Sequence, residues 1–159
     1  MNAEMPGDSS GDKDLELVRL NTLVTHETGY KLRFLMKYNE ISATETVRRS
    51  IAIYNFGLSL ESKDILIIAQ DGDTAEREAV ELPTDLETDN DKPDISLNCN
   101  LNIPTRDAMD EILLVRKINS DGELIDKAVE YYLRLVEKAI NGYSLVFEED
   151  GRRREIVIG

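Results

Sequence analysis

Side chains able to do covalent chemistry are few and scattered along this chain. It has a single histidine, His26, so neither a histidine-based metal site nor a Ser-His-Asp arrangement has the groups it needs. Cys99 is the only cysteine and cannot close an internal disulfide. With no histidine to activate it, Cys99 reads as a small core residue rather than a nucleophile. Carboxylates are so plentiful, 32 in all, that no pair stands out for acid–base work. Neither G-x-G-x-x-G nor a Walker pattern occurs. The chain therefore reads as non-catalytic, with no metal, cofactor or small-molecule substrate. Hydrogen-bonding chemistry remains. Asn98, Asn100 and Asn102 alternate with Cys99 and Leu101. On a strand they would share one face, an unusual use of a residue depleted in strands.

The flanking pattern supplies that strand and its surroundings. Ile95 to Ile103 alternates, with Leu97, Cys99, Leu101 and Ile103 opposite the asparagines. A shorter run, Val18 to Val24, puts Val18, Leu20, Thr22 and Val24 on one face and Arg19, Asn21 and Leu23 on the other. Thr25 is positioned to cap a first helix carrying Leu32, Leu35 and Met36. Ser42 or Thr44 caps a second, with Glu45 at capping-box spacing from Ser42 and a stripe of Val47, Ile51, Tyr54 and Leu58. Gly57 weakens its end. Ile65–Ala69 and Arg77–Leu82 then read as a hairpin around Asp71-Gly72. After Ile103, Pro104-Thr105 opens a third helix, Asn119 to Gly122 breaks it, and a longer fourth helix runs to Gly142. Ser144–Phe147 and Arg154–Ile158 form a second hairpin around Asp150-Gly151.

Both halves thus read strand, helix, helix, hairpin. The two Asp-Gly pairs lie 79 residues apart, and Arg77-Glu78-Ala79-Val80 matches Arg154-Glu155-Ile156-Val157. The expected fold class is α+β, built of two tandem repeats. Residues 1–15 read as a disordered acidic arm, 16–82 as the first repeat, 83–94 as an acidic linker and 95–159 as the second repeat. No apolar run approaches bilayer length, and no signal segment is apparent at the start. With its lone thiol, the chain is expected to be cytoplasmic and to have no membrane partner.

The net charge of −13 repels nucleic acid when taken whole, but the acid is unevenly placed. Ten acidic residues fall between Asp71 and Asp94, against Arg77 and Lys92. Between Lys13 and Phe56 seven Lys/Arg outnumber five Asp/Glu.

The stretch from Leu32 to Ile51, with Ser42-Ala43-Thr44-Glu45 leading into Val47-Arg48-Arg49-Ser50-Ile51, resembles the core of ribbon-helix-helix proteins of the Arc/MetJ type. The likeness is strongest over residues 18–58. Over 95–141 the break and apolar spacing persist, but the paired arginines do not. This resemblance implies a pseudo-dimer in which Val18–Val24 and Ile95–Ile103 form a two-stranded ribbon. It further implies a transcriptional regulator that reads the major groove of double-stranded DNA with Arg19, Asn21, Leu23, Asn98, Asn100 and Asn102. Backbone N–H groups near Ser42 and Thr44, aided by Arg48 and Arg49, would hold phosphate.

A second reading stands beside it. The fold is kept without DNA binding, as a protein-interaction module (an adaptor or acidic inhibitor), with hairpin edges or the linker meeting a protein partner or a second copy. Arg48 and Arg49 then serve as helix partners of Glu45. Arg152, Arg153 and Arg154 balance Glu148 and Glu149 across their hairpin. The sign of the charge around Arg19 and Asn21 discriminates the two readings.

Overall fold

The computed structural model describes residues 16–84 and 92–158. The expected acidic arm and most of the linker lie outside them. Among the described residues the fold is α+β, with four helices and two antiparallel sheets. In chain order these are β1 (Leu17–Thr25), α1 (His26–Asn39), α2 (Ala43–Glu61), β2 (Ile67–Asp71), β3 (Arg77–Val80), β4 (Pro93–Asn102), α3 (Ile103–Arg116), α4 (Asp121–Ile140), β5 (Tyr143–Glu149) and β6 (Arg152–Ile156).

β1 and β4 pair with each other along their whole length, from Leu17 opposite Asn102 to Thr25 opposite Pro93, with an irregularity after Val24. Alternation dictates the pairing face. Leu20, Val24, Leu97, Cys99 and Leu101 are buried, and each such side chain gains about 1.5–3 kcal/mol when fully removed from water. Pro93, expected in the linker, begins β4 instead. It sits at the strand's first residue, where a missing N–H is tolerated. Ile103 belongs to α3 rather than the strand, because Asn102 caps the helix one residue earlier than Pro104 suggested.

All four helices are capped by a short polar side chain. Thr25, Ser42, Asn102 and Ser120 accept the N–H of Thr28, Glu45, Thr105 and Glu123, respectively. Each such cap is worth about 1 kcal/mol. α1 and α3 also end alike, at Glu40 and Lys117 in the left-handed region, φ 54° and 55°. α2 continues past Gly57 to Glu61. A Cβ there would lie 2.8 Å from the Tyr131 ring, so the glycine makes room for that aromatic. Tyr131 in turn meets Tyr54 edge-on at 6.2 Å, joining α2 to α4 in the core. α4 touches both β1 and β5, tying the two sheets together.

The second sheet has the order β3-β2-β5-β6. The inner strands of the two hairpins pair with each other, Ile68 opposite Val146 and Asp71 opposite Tyr143. Only β3 and β6 remain as edges, and their exposed arginines and glutamates suit strands that must not recruit others. The two Asp-Gly pairs are not equivalent. Glu149 pairs with Arg152, so Asp150-Gly151 is a two-residue turn with φ 53° and 74°, as a type I′ hairpin requires. In the first hairpin Gln70 pairs with Arg77; the turn starts at Gly72 as expected but is longer, running through Thr74, with Ala75 in the left-handed region, φ 61°. The matching R-E-x-V segments diverge too: Val80 is buried, whereas Val157 lies beyond β6 and is 94% exposed. Among the described residues no helix is long and apolar enough to cross a membrane.

Candidate nucleic-acid interface

The outward face of the β1–β4 ribbon follows from the same alternation that buries Leu20 and Cys99. Its rungs are Arg19 opposite Asn100, Asn21 opposite Asn98, and Leu23 opposite Ser96, all exposed. Arg19 Nε lies 3.5 Å from Asn21 Oδ1, and Asn98 Nδ2 donates to Ser96 Oγ at 3.3 Å. Both contacts are long and solvent-facing, so the carboxamides keep most of their hydrogen-bonding capacity. Between the Leu17–Asn102 and Leu23–Ser96 rungs, the outward face carries one charge, Arg19, and no carboxylate. Ser96 belongs to this face although sequence reasoning passed over it. The alternation continued two residues back from Asn98 would have found it. Asn102 is placed differently from its neighbours. Its side-chain oxygen accepts the Thr105 N–H at 2.9 Å, which commits that oxygen to the α3 cap.

The helix starts beside the ribbon distribute the remaining site residues. Ser42 caps α2, its Oγ accepting the Glu45 N–H at 3.1 Å. Thr44 is half-buried and its hydroxyl meets the Cys99 thiol. Burial pushes that thiol above its ordinary range, with the Thr44 contact and the Arg19 charge acting weakly the other way. Thr44 therefore packs α2 onto the back of the ribbon. Arg48 and Arg49 both turn to Glu45: Arg48 through two nitrogens, one at 2.8 Å, and Arg49 through Nε at 2.9 Å. The Arg48 hydrogen bonds, more than any other cause, hold the Glu45 carboxyl down at about 2. Arg49 also bonds the Tyr132 hydroxyl.

At the start of α4 the acid is balanced from elsewhere. Arg106, one turn into α3, reaches Asp121 at 2.8 and 3.0 Å and Asp110 at 2.6 Å. Glu123 lies 3.6 Å from Lys127. Pairing of Arg106 with Asp121 had no sequence signal, because it depends on α3 folding back beside α4. Gly122, expected within a break, lies inside α4, where the helix start abuts the backbone of β1. At the far end of the ribbon His26 Nε2 stands 2.7 Å from Asp94. The site is thus a near-neutral, hydrogen-bond-rich ribbon flanked by capped helix starts whose charges are mostly paired.

On the second hairpin, Glu148 pairs with Arg77 and Glu149 with Lys63. The hairpin register still sets Glu148 opposite Arg153 and Glu149 opposite Arg152, the expected cross-strand balance, and Arg77 and Lys63 add to it. Comparison with protein-family models, curated proteins and solved structures found no match.

Proposed function

We propose that this chain is a ribbon-helix-helix-type DNA-binding regulator in which the two tandem halves act as one pseudo-dimer and the β1–β4 ribbon reads the major groove. The observation that carries this reading is the composition of the ribbon's outward face. In a chain of net charge −13, that face carries no carboxylate between the Leu17–Asn102 and Leu23–Ser96 rungs and displays Arg19, Asn21, Asn98 and Asn100. Asparagine can pair bidentately with adenine and arginine with guanine, and Leu23 offers an apolar contact for a thymine methyl. The pseudo-dimer is supported by spacing. Caps Thr25 and Asn102 lie 77 residues apart, as do the left-handed residues Glu40 and Lys117. Asn21 and Asn98 have the same separation and face each other in the ribbon, which supports a local twofold passing between them.

One observation favours the alternative, a protein-interaction module. Arg48 and Arg49 both turn to Glu45, so the helix start that should meet phosphate has part of its positive charge countered internally. Titration of the full chain against random duplex DNA separates the two readings. For the regulator, binding at about 50 mM salt should weaken steeply by about 200 mM as phosphate contacts are lost. Arg19→Ala and Asn21→Ala should each cost about 1–3 kcal/mol on a selected sequence and relax the base preference. A flat titration at low salt removes DNA reading and leaves the interaction module.

A further inference from the structure

We propose that copies of this chain associate head to tail, the outer face of α1 in one copy docking on the outer face of α3 in the next. The argument starts from two helix faces that nothing in the monomer covers. On α1, Tyr30, Phe34 and Tyr38 recur every four residues and are 64%, 45% and 51% exposed. Arg33 and Lys37 fall within the same face, since residues three and four apart are neighbours on a helix. Phe34 stacks on Tyr38 at 6.1 Å and the Arg33 guanidinium lies 5.1 Å over the Tyr30 ring. The stripe is therefore an ordered aromatic surface bearing two cations. Neither Arg33 nor Lys37 has a carboxylate partner among the described residues.

The positions 77 residues later, on α3, are Asp107, Asp110, Glu111, Leu114 and Val115. Leu114 and Val115 are 80% and 65% exposed. Asp107 and Glu111 have no cationic partner among the described residues, and Asp110 shares Arg106 with Asp121. One face is aromatic and basic, the other aliphatic and acidic. Each is self-repelling and suited to the other. Exposed apolar stripes rimmed by unpaired charge mark interaction surfaces. The charge reversal between equivalent positions selects the opposite face of a second copy as occupant.

The ribbon fixes where these faces stand. α1 leaves the end where Thr25 meets Pro93, and α3 leaves the end where Leu17 meets Asn102. A contact between unlike faces is heterologous and leaves one face open at each end, so it propagates. The inference does not rest on DNA binding and is tested without it.

Sedimentation velocity of the full chain from about 1 to about 200 µM, covering the micromolar range of weak interfaces, should show growth past the dimer. Adding salt should reverse it. Phe34→Glu and Leu114→Glu alter exposed positions, so both should keep the wild-type circular dichroism and melting. Each alone should be monomeric. Mixed in equal amounts, they should form a heterodimer and stop there, because each supplies the one face the other has lost. A wild-type monomer throughout, self-association by Leu114→Glu alone, or a mixture that stays monomeric would each overturn the proposal.

Discussion

Gly122, in the first turn of α4, sits directly on the carbonyl oxygen of Leu23 in β1: a Cβ added at position 122 would lie 2.0 Å from that oxygen and 3.1 Å from the Thr22 hydroxyl. The clash is with backbone, so no rotamer relieves it. Leu23 is also an outward residue of the ribbon, so one contact joins the second half's helix to the candidate reading surface of the first. Gly122→Ala should therefore force α4 and β1 apart, at a cost of about 2–4 kcal/mol, the range for overpacking a tight site and more. Denaturant unfolding measures it. A change below about 0.5 kcal/mol, the level of ordinary surface substitutions, would show that α4 does not bear on the ribbon.

That contact also shows where sequence reasoning stops. The ribbon was legible because alternation from Val18 to Val24 and from Ile95 to Leu101 is a local rule with one buried face. The caps at Thr25 and Ser42 were legible for the same reason. Glycine 122 looked like a breaker because its real cause, the Leu23 carbonyl, lies far away in the chain. Arg106 gave no hint of Asp121, nor β2 of β5, since both pairings exist only after the halves close on each other. The Asp71-Gly72 pair marked its turn but not the length: the turn runs from Gly72 to Thr74, and the left-handed residue is Ala75.

The two turns can be told apart by substitution. Gly151 has φ 74° and needs a residue without a Cβ, so Gly151→Ala should cost about 1–2 kcal/mol. Gly72 lies outside the left-handed region, and a Cβ there would meet nothing within 4 Å. Gly72→Ala should be neutral, or stabilising by a few tenths of a kcal/mol through loss of unfolded-chain freedom. Thermal melts of the two variants, run together, check the contrast. Equal losses would restore the equivalence that the sequence suggested.

Asp126 on α4 is buried beside the start of α1, its Oδ1 3.4 Å from the Thr25 N–H and 3.5 Å from the Thr25 hydroxyl. Burial raises its carboxyl above the ordinary 3.8, outweighing the threonine hydrogen bonds. A carboxyl raised on folding stabilises the protein below its unfolded value, and that stability is lost as pH rises through the folded value. Asp126→Asn keeps the acceptor and removes the charge. Its melting temperature relative to wild type should climb from pH 3.5 to pH 7. If wild type instead gains on the variant as pH rises, the site favours the carboxylate and the burial argument fails.

Glu45 holds both arginines of the α2 start, and its substitution tests whether that grip limits phosphate contact in the proposed DNA reading. The carboxyl is depressed to about 2, so its contribution to stability is present above the ordinary 4.5 and fades as pH falls toward 2. The three side chains are each roughly a third exposed, so solvent screening limits the cluster to about 1 kcal/mol. Glu45→Gln should cost about that much at pH 7 and progressively less as pH falls from 4.5 toward 2. On random duplex DNA at low salt the same variant should bind more tightly than wild type. Its log–log salt dependence should steepen by about 1, as Arg48 becomes free to displace a counterion while Arg49 keeps its Tyr132 partner. Only the α2 start carries this arginine pair, so the gain should be lost again in Glu45→Gln, Arg48→Ala, Arg49→Ala. Stability falling with no change in DNA affinity would mean these arginines do not face the duplex, and the α2 start would belong to the protein-interaction reading instead.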